Sequence, residues 1–359
     1  MSIGKLLIRI TIVSLWISLF FVFVSIPHFI RPFKQTTPVL NIFSWPEILS
    51  PKTIAKFEKE SGIKVKRHYY TSNEELLVKL KATKGIGYDL IIPSDYMVKK
   101  LIDEELLQPI DPAELDFVAH LNPRLIHQPF DPENTYSIPY IWEVIGFGIN
   151  TEQYNELPFI PTWEEIYHPT NPNTKLSMIN DPIEAIDCTA RHLFGSDIEM
   201  GPKEIAQIHA TLREQKKLVE AYAGVRGDYF LITKNCSVAV IPTSYVFRAA
   251  ENYKHIDFVI PEKYTFLTIE NCCIPKNSEN SELAYIFLNY LYQPEVFAGE
   301  ANAYHNFPAT TNASPYIKGL PVYLKTLEGL ENYDGDFYYT RDLLSETESR
   351  TLWIKLKTD

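Results

Sequence analysis

Carboxylates and aromatic rings recur at three points of this sequence, each just past a short apolar run. Trp45 and Glu47 follow Val39 to Ser44. Ser94, Asp95 and Tyr96 follow Tyr88 to Ile92, and Asp181 and Glu184 lie in the loop Asn180-Asp-Pro-Ile-Glu184 after Lys175 to Met178. Such a set suits a flexible cation. An aromatic face covers methylene groups and attracts an ammonium by roughly 0.5 to 2 kcal/mol per contact, while carboxylates at the far ends set charge and length, as a diamine or triamine would require. Without the cation those carboxylates repel one another, so closure of a cleft around them is favoured only when it is filled. Each residue also has a plainer reading. Asp181 can cap a helix and leave Glu184 solvated, Glu47 and Asp95 can be charges at helix N-termini, and Trp45 and Tyr96 can be half-buried packing residues.

Bond-making chemistry finds no comparable support. The sequence has no GxSxG, HExxH, GxxxxGK[ST] or GxGxxG, and its nine histidines and four cysteines keep no metal-ligand spacing. No catalytic residue, cofactor or metal site is expected. Cys188, Cys236, Cys272 and Cys273 are either buried thiols or, in an oxidising compartment, the source of one disulfide.

The elements that must position the three loops are legible in the pattern. Val39 to Ser44 reads as a buried strand, Pro51 to Ser61 as a helix ended by Gly62, and Ile63 to Tyr70 as an alternating strand. Ser72-Asn-Glu-Glu75 is a capping box opening a helix to about Thr83, Tyr88 to Ile92 is a second buried strand, and Met97 to Leu106 is helical. This alternation predicts an α/β sheet whose strands run parallel, with ligands gathered beyond their carboxyl ends. From Phe130 the chain turns rich in Pro and aromatics, then enters an apolar run to Ile149 long enough to pass between lobes. A second α/β region follows, with helical pattern over Pro202 to Ala221 and strands at Ser237 to Ile241 and Phe258 to Ile260. Helices over Glu282 to Tyr292 and Leu343 to Lys355 close the chain.

At 359 residues, 45% hydrophobic and 22% charged, the chain is large enough for two lobes. Its formal charge of -11 disfavours nucleic acid and is compatible with a cationic partner. Lys5 and Arg9 precede an uncharged run from Ile10 to Ile30, which reads as an uncleaved signal anchor, with a cleaved signal peptide as the alternative. No small-x-small cleavage site or lipobox cysteine follows it, and a Pro-containing tether, Arg31 to Pro38, leads away.

Four motifs carry a family resemblance. YDLIIPSDYMVKKL (Tyr88 to Leu101), FDPENTYSIPYIW (Phe130 to Trp142), FSWPEILSP (Phe43 to Pro51) and the NDPIE loop stand in the order and spacing of the periplasmic spermidine/putrescine-binding proteins, which this chain resembles from about Val39 to its last helix. The resemblance implies a stacking role for Trp45 and Tyr96, with Ser94 beside the latter, and amino-group binding by Asp181 and Glu184. It places Glu270 where the family carries an aspartate on the strand returning to the first lobe, and Tyr304 or Phe307 at a late aromatic position. The aromatic box is incomplete. Ile48, Pro242 and Thr268 occupy positions where aromatics are usual, and Tyr245 is a substitute from the same loop as Pro242. Glu143, directly after Trp142, adds a carboxylate that the resemblance does not assign.

The expected architecture is therefore a two-lobed periplasmic binding protein type II fold, with central mixed sheets joined by hinge strands near Ile145 and Cys272. Residues 1–38 form a signal anchor or signal peptide and a tether, 39–146 plus 272–315 the first α/β lobe, and 147–271 plus 316–359 the second. The ligand-binding residues expected are Trp45, Glu47, Ser94, Tyr96, Asp181, Glu184, Tyr245 and Glu270. The implied function is a monomeric, non-enzymatic receptor in the periplasm that takes putrescine or spermidine between its lobes and delivers it to the permease of an ABC importer, with membrane association through its N-terminus. A receptor for another small cation or a metal, and a membrane-tethered sensory protein, are the alternatives.

Overall fold

The computed structural model describes Gly4, Thr11 and residues 14–20, 37–154, 157–196, 199–223 and 226–358. The chain divides into two units, Met1–Pro38 and Val39–Asp359. In the first, residues 14–20 are helical. Most of the Ile10 to Ile30 run, on which the anchor expectation rests, lies outside the described residues. Among the described residues no helix is long and apolar enough to cross a membrane.

The second unit opens with the expected alternation. Strand β1 (Val39–Ser44) pairs in parallel with β2 (Lys64–Tyr69) on one side and β3 (Leu90–Ile92) on the other. The helix Pro51–Ser61 between β1 and β2 starts at Ser50, whose Oγ accepts the Thr53 N–H. It stops at Gly62, which takes φ +73°, a conformation that costs a residue with a Cβ about 1 kcal/mol or more. The helix Asn73–Thr83 is capped by Ser72, whose Oγ accepts the Glu75 N–H. Ser94 occupies the N-cap of the helix Asp95–Asp103, yet its hydroxyl does not cap. That helix begins two residues earlier and ends three earlier than the pattern predicts.

The larger sheet runs in the order β11-β9-β4-β7-β5-β6, where β4 is Ile138–Asn150, β5 Leu176–Met178, β6 Val219–Tyr222, β7 Val238–Pro242, β9 Tyr264–Cys272 and β11 Asp336–Tyr338. Strand β4 is its spine. It lies antiparallel to β9 from Ile138 to Ile145 and to β7 from Ile145 to Ile149. It also pairs with β8 (Ile256–Val259) and β10 (Phe307–Pro308). Strands β5, β6 and β7 are mutually parallel, so this sheet is mixed. The pattern over Pro202 to Ala221 needs correcting: the helix ends at Gln215, and residues 219–222 are β6, because the chain must turn there to pair with β5.

Strand β9 leaves the larger sheet and meets β3 through antiparallel bridges between Ser94 and Glu270 and between Ile91 and Cys273. The loop feeding β4 is knotted by Asp131, whose carboxylate accepts the N–H groups of Thr135, Tyr136 and Ser137 and the Ser137 hydroxyl. One apolar core continues from β1 and β3 through Tyr140, Trp142 and Ile269 to Phe247 and Phe258, and two smaller cores include Phe147 and Trp163 in one and Leu212 and Leu356 in the other. All four cysteines are buried free thiols.

Candidate functional site

The loop after β1 is held from below by a buried glutamate. Glu300 Oε2 accepts the Ser50 N–H at 2.8 Å and lies 3.5 Å from the Tyr140 hydroxyl, which donates to the Ile48 carbonyl at 2.9 Å. Trp45 packs on the ring of buried Tyr70, centroids 4.7 Å apart. Its indole N–H therefore points one way, toward Glu270 Oε2 at 3.1 Å. The other oxygen of Glu270 accepts the Ser94 hydroxyl at 2.8 Å, which explains why Ser94 does not cap its helix. Residues from two separate loops thus converge on one carboxylate carried by a distant strand.

Around it lies a cavity of about 780 Å³. Of the residues expected from sequence, Trp45, Glu47, Glu184, Tyr245 and Glu270 line it, as do the departures Ile48, Pro242 and Thr268. Tyr304 lines it too, whereas Phe307 is buried on β10 beside Trp142. Ser94 reaches the wall through Glu270. Tyr96 and Asp181 are not on the wall. Tyr96 directs its hydroxyl to Glu74 at 3.4 Å, and the Asp181 charge helps raise the Tyr96 hydroxyl pKa, after burial and Glu74, so the two stand within electrostatic reach. Asp181 also caps the helix Pro182–Phe194, its Oδ1 accepting the N–H groups of Ile183 and Glu184.

Strand β4 contributes Ile141, Glu143 and Ile145, alternate residues of one face, and also Trp142. Glu143 Oε2 accepts from the Ser244 N–H at 3.3 Å and hydroxyl at 2.6 Å. A lone carboxylate inside an otherwise apolar strand was the signal that could have marked it from sequence. Arg248, Glu251 and His305 carried no such signal; their neighbours on the cavity wall come from distant parts of the chain.

The electrostatics divide the cavity in two. At the exposed rim, Glu47 (side chain 75% exposed) faces Arg248 (49%) at 3.7 Å, and Glu251 faces His305 at 3.2 Å. The Arg248 guanidinium also lies over the Tyr245 ring, 4.7 Å from its centroid. Deeper, Glu143, Glu184 and Glu270 are half-buried, and among the described residues none has a cationic side chain within ion-pair distance. Burial raises the Glu270 carboxyl to about 8, with the charges of Asp95 and Glu143 adding to it and hydrogen bonds from Ser94 and Trp45 opposing it. Burial likewise lifts Glu184 to about 8, helped by Asp181, Glu143 and Asp95, and pushes Glu143 upward. Asp95, buried behind them, rises to about 7 through desolvation, although the N–H groups of Ile269 and Tyr96 bind its oxygens. Among the described residues no three His, Cys, Asp or Glu side chains converge as metal ligands do; the acids are spread along the cavity.

Comparison with known proteins identifies the family and the fold. The model of the family described as bacterial extracellular solute-binding protein matches residues 52–321. A spermidine/putrescine-binding periplasmic protein of Salmonella typhimurium is 32% identical over 262 residues, covering 72% of this chain and 73% of that protein. The putrescine-binding periplasmic protein SpuD of Pseudomonas aeruginosa is 28% identical over 343 residues, 89% of this chain and 92% of that one. Among solved structures, the spermidine/putrescine ABC transporter substrate-binding protein PotD of Streptococcus pneumoniae superposes with a TM-score of 0.76 at 24% identity, covering 89% of this chain and 99% of its own. Its likeness establishes the two-lobed type II fold.

Proposed function

The chain belongs to the family of bacterial extracellular solute-binding proteins that includes the spermidine/putrescine-binding periplasmic proteins, and from that premise we propose that it captures a polyamine between its lobes for an ABC importer. One observation carries the reading to this chain. Glu143, Glu184 and Glu270 are half-buried, mutually repelling carboxylates with no cationic partner among the described residues. Ionising such groups is costly unless a partner arrives, so Glu184 and Glu270 keep their protons to about pH 8, and a linear polyammonium, with several charges spaced by methylenes, is the partner that favours their ionised form. Trp45, Tyr245 and Tyr304 offer rings for those methylenes, and the apolar Ile48, Ile141 and Pro242 complete the wall.

In this reading Trp45, Glu184, Tyr245 and Glu270 touch the ligand. Ser94 orients Glu270, Glu47 closes the rim with Arg248, and Tyr96 and Asp181 act on the far side through charge and helix capping. The lobes comprise 39–146 with 272–315 and 147–271 with 316–359, turning on β4 and β9, and delivery follows from lobe closure recognised by the permease. The protein works outside the cytoplasm as a monomer held by its N-terminal segment and performs no catalysis. Calorimetric titration of the Val39–Asp359 unit with putrescine, spermidine and spermine tests the assignment. Binding of at least one is expected; no heat and no shift in thermal unfolding with any of the three rejects it.

A further inference from the structure

Glu143 is counted above among the unpaired acids but given no contact of its own with the ligand; its position in the sheet supplies one. The strand order β9-β4-β7-β5 puts it, on β4, between Glu270 on β9 and Glu184, which follows β5 at the start of the helix Pro182–Phe194. In the β4–β9 ladder Ile141 pairs with Glu270 and Glu143 with Thr268, so Glu143 is the diagonal neighbour of Glu270 on the cavity face. Diagonal neighbours of this kind have Cα atoms about 7 to 8 Å apart, within reach of a single flexible ligand. The carboxyl is aimed. Both Ser244 bonds fall on Oε2, and no hydrogen bond from the described residues falls on Oε1. Its charge helps to raise both Glu184 and Glu270, which places all three within electrostatic reach. The cation nearest to hand, Arg248, acts on Glu143 by its charge but makes no ion pair with it, facing Glu47 at 3.7 Å and lying over the Tyr245 ring.

A diamine stretched from Glu270 to Glu184 passes Glu143 with a methylene chain, leaving the middle carboxylate uncompensated in a partly desolvated place. A triamine carries its secondary ammonium to that point. We infer that Glu143 is a third ligand carboxylate, pairing with the inner ammonium of a linear triamine, and that it makes this pocket select triamines over diamines. The inference rests on the polyamine reading and deepens it.

Calorimetric titration of the full chain and of its Glu143→Gln variant, each against spermidine and putrescine, provides the test. Glutamine keeps an oxygen for Ser244 and removes only the charge. The wild type is expected to bind the triamine about tenfold or more tighter than the diamine. In Glu143→Gln that ratio should collapse toward one, through weaker triamine binding and little change for the diamine. An unchanged ratio in the variant, or a wild type that prefers the diamine, overturns the role of Glu143 while leaving polyamine capture intact. A wild type that binds neither compound rejects both. Should the Gln variant fail to fold, Glu143→Asp, which withdraws the charge by one methylene, reads the same ratio and is expected to lower it.

Discussion

Glu270 concentrates the logic of this pocket in one side chain. The indole N–H of Trp45 and the hydroxyl of Ser94 each take one of its oxygens, so its carboxyl is oriented before any ligand arrives. The same burial that makes it useful raises it to about 8. Substitution should therefore move binding and stability in opposite directions. For Glu270→Gln we expect polyamine affinity to fall by about 10- to 100-fold, the value of a charge-assisted hydrogen bond. At pH 8 to 9 the ligand-free thermal midpoint should hold or rise, because an uncompensated buried charge is gone. Titration and thermal unfolding of the same sample check both signs, and a variant that loses both stability and binding would mark Glu270 as chiefly structural. Arg248 over Tyr245 shows the complementary principle: this aromatic face already holds a guanidinium within the chain.

Among the elements, the helix Pro182–Phe194 couples folding to the site. Asp181 caps it while Glu184, three residues on, lines the cavity, so the plainer reading and the functional one are each met by a different member of the pair. The two roles separate by substitution. Asp181→Ala should cost about 1 kcal/mol of stability through loss of the cap, whereas Asp181→Asn keeps a capping oxygen and should cost a few tenths. Both remove the charge, so both should weaken polyamine binding by the same few-fold factor. Chemical denaturation beside titration reads this; a binding loss that follows the cap rather than the charge contradicts it. The loop after β3 is fastened in a similar way, Asp95 accepting the Tyr96 and Ile269 N–H groups and so joining the first lobe to the strand that carries Glu270.

For the whole molecule the buried acids predict how stability and binding depend on pH. Asp95 holds its proton in the folded, ligand-free protein to about pH 7, and Glu184 and Glu270 hold theirs to about pH 8. In the unfolded chain such groups lose theirs near pH 4. Between those limits the native state binds more protons, so their contribution to stability is fully present below about pH 4 and is lost as pH rises to about 8. A polycation reverses the preference by favouring the ionised carboxylates. Binding near pH 7 should release protons, and affinity should rise from pH 6 to pH 8, where the amines remain charged. Titrations in buffers of different ionisation enthalpy measure the release. Affinity independent of pH over that range would contradict the arrangement.

Local pattern carried the architecture far because its causes are local. A serine before a helical run, Gly62 after one, and the continuous apolar run along β4 act over a few residues, and the strand-helix order that places Trp45, Ser94 and Glu184 at strand ends follows from them. Where the pattern misled, over residues 219–221, a helical period continued into a segment that pairing with β5 drew into a strand. The pocket's wall is another matter. Glu143 meets Ser244, Arg248 meets Glu47, and Glu251 meets His305 across dozens to hundreds of residues of chain, and no sequence spacing encodes those meetings. Strand order alone puts Glu143 between Glu270 and Glu184. Residue types announced an acidic, partly aromatic site for a cation; only the packing of β4 between β9 and β7 decided that its deepest wall holds three carboxylates, because charge spacing is a property of the sheet and not of the chain.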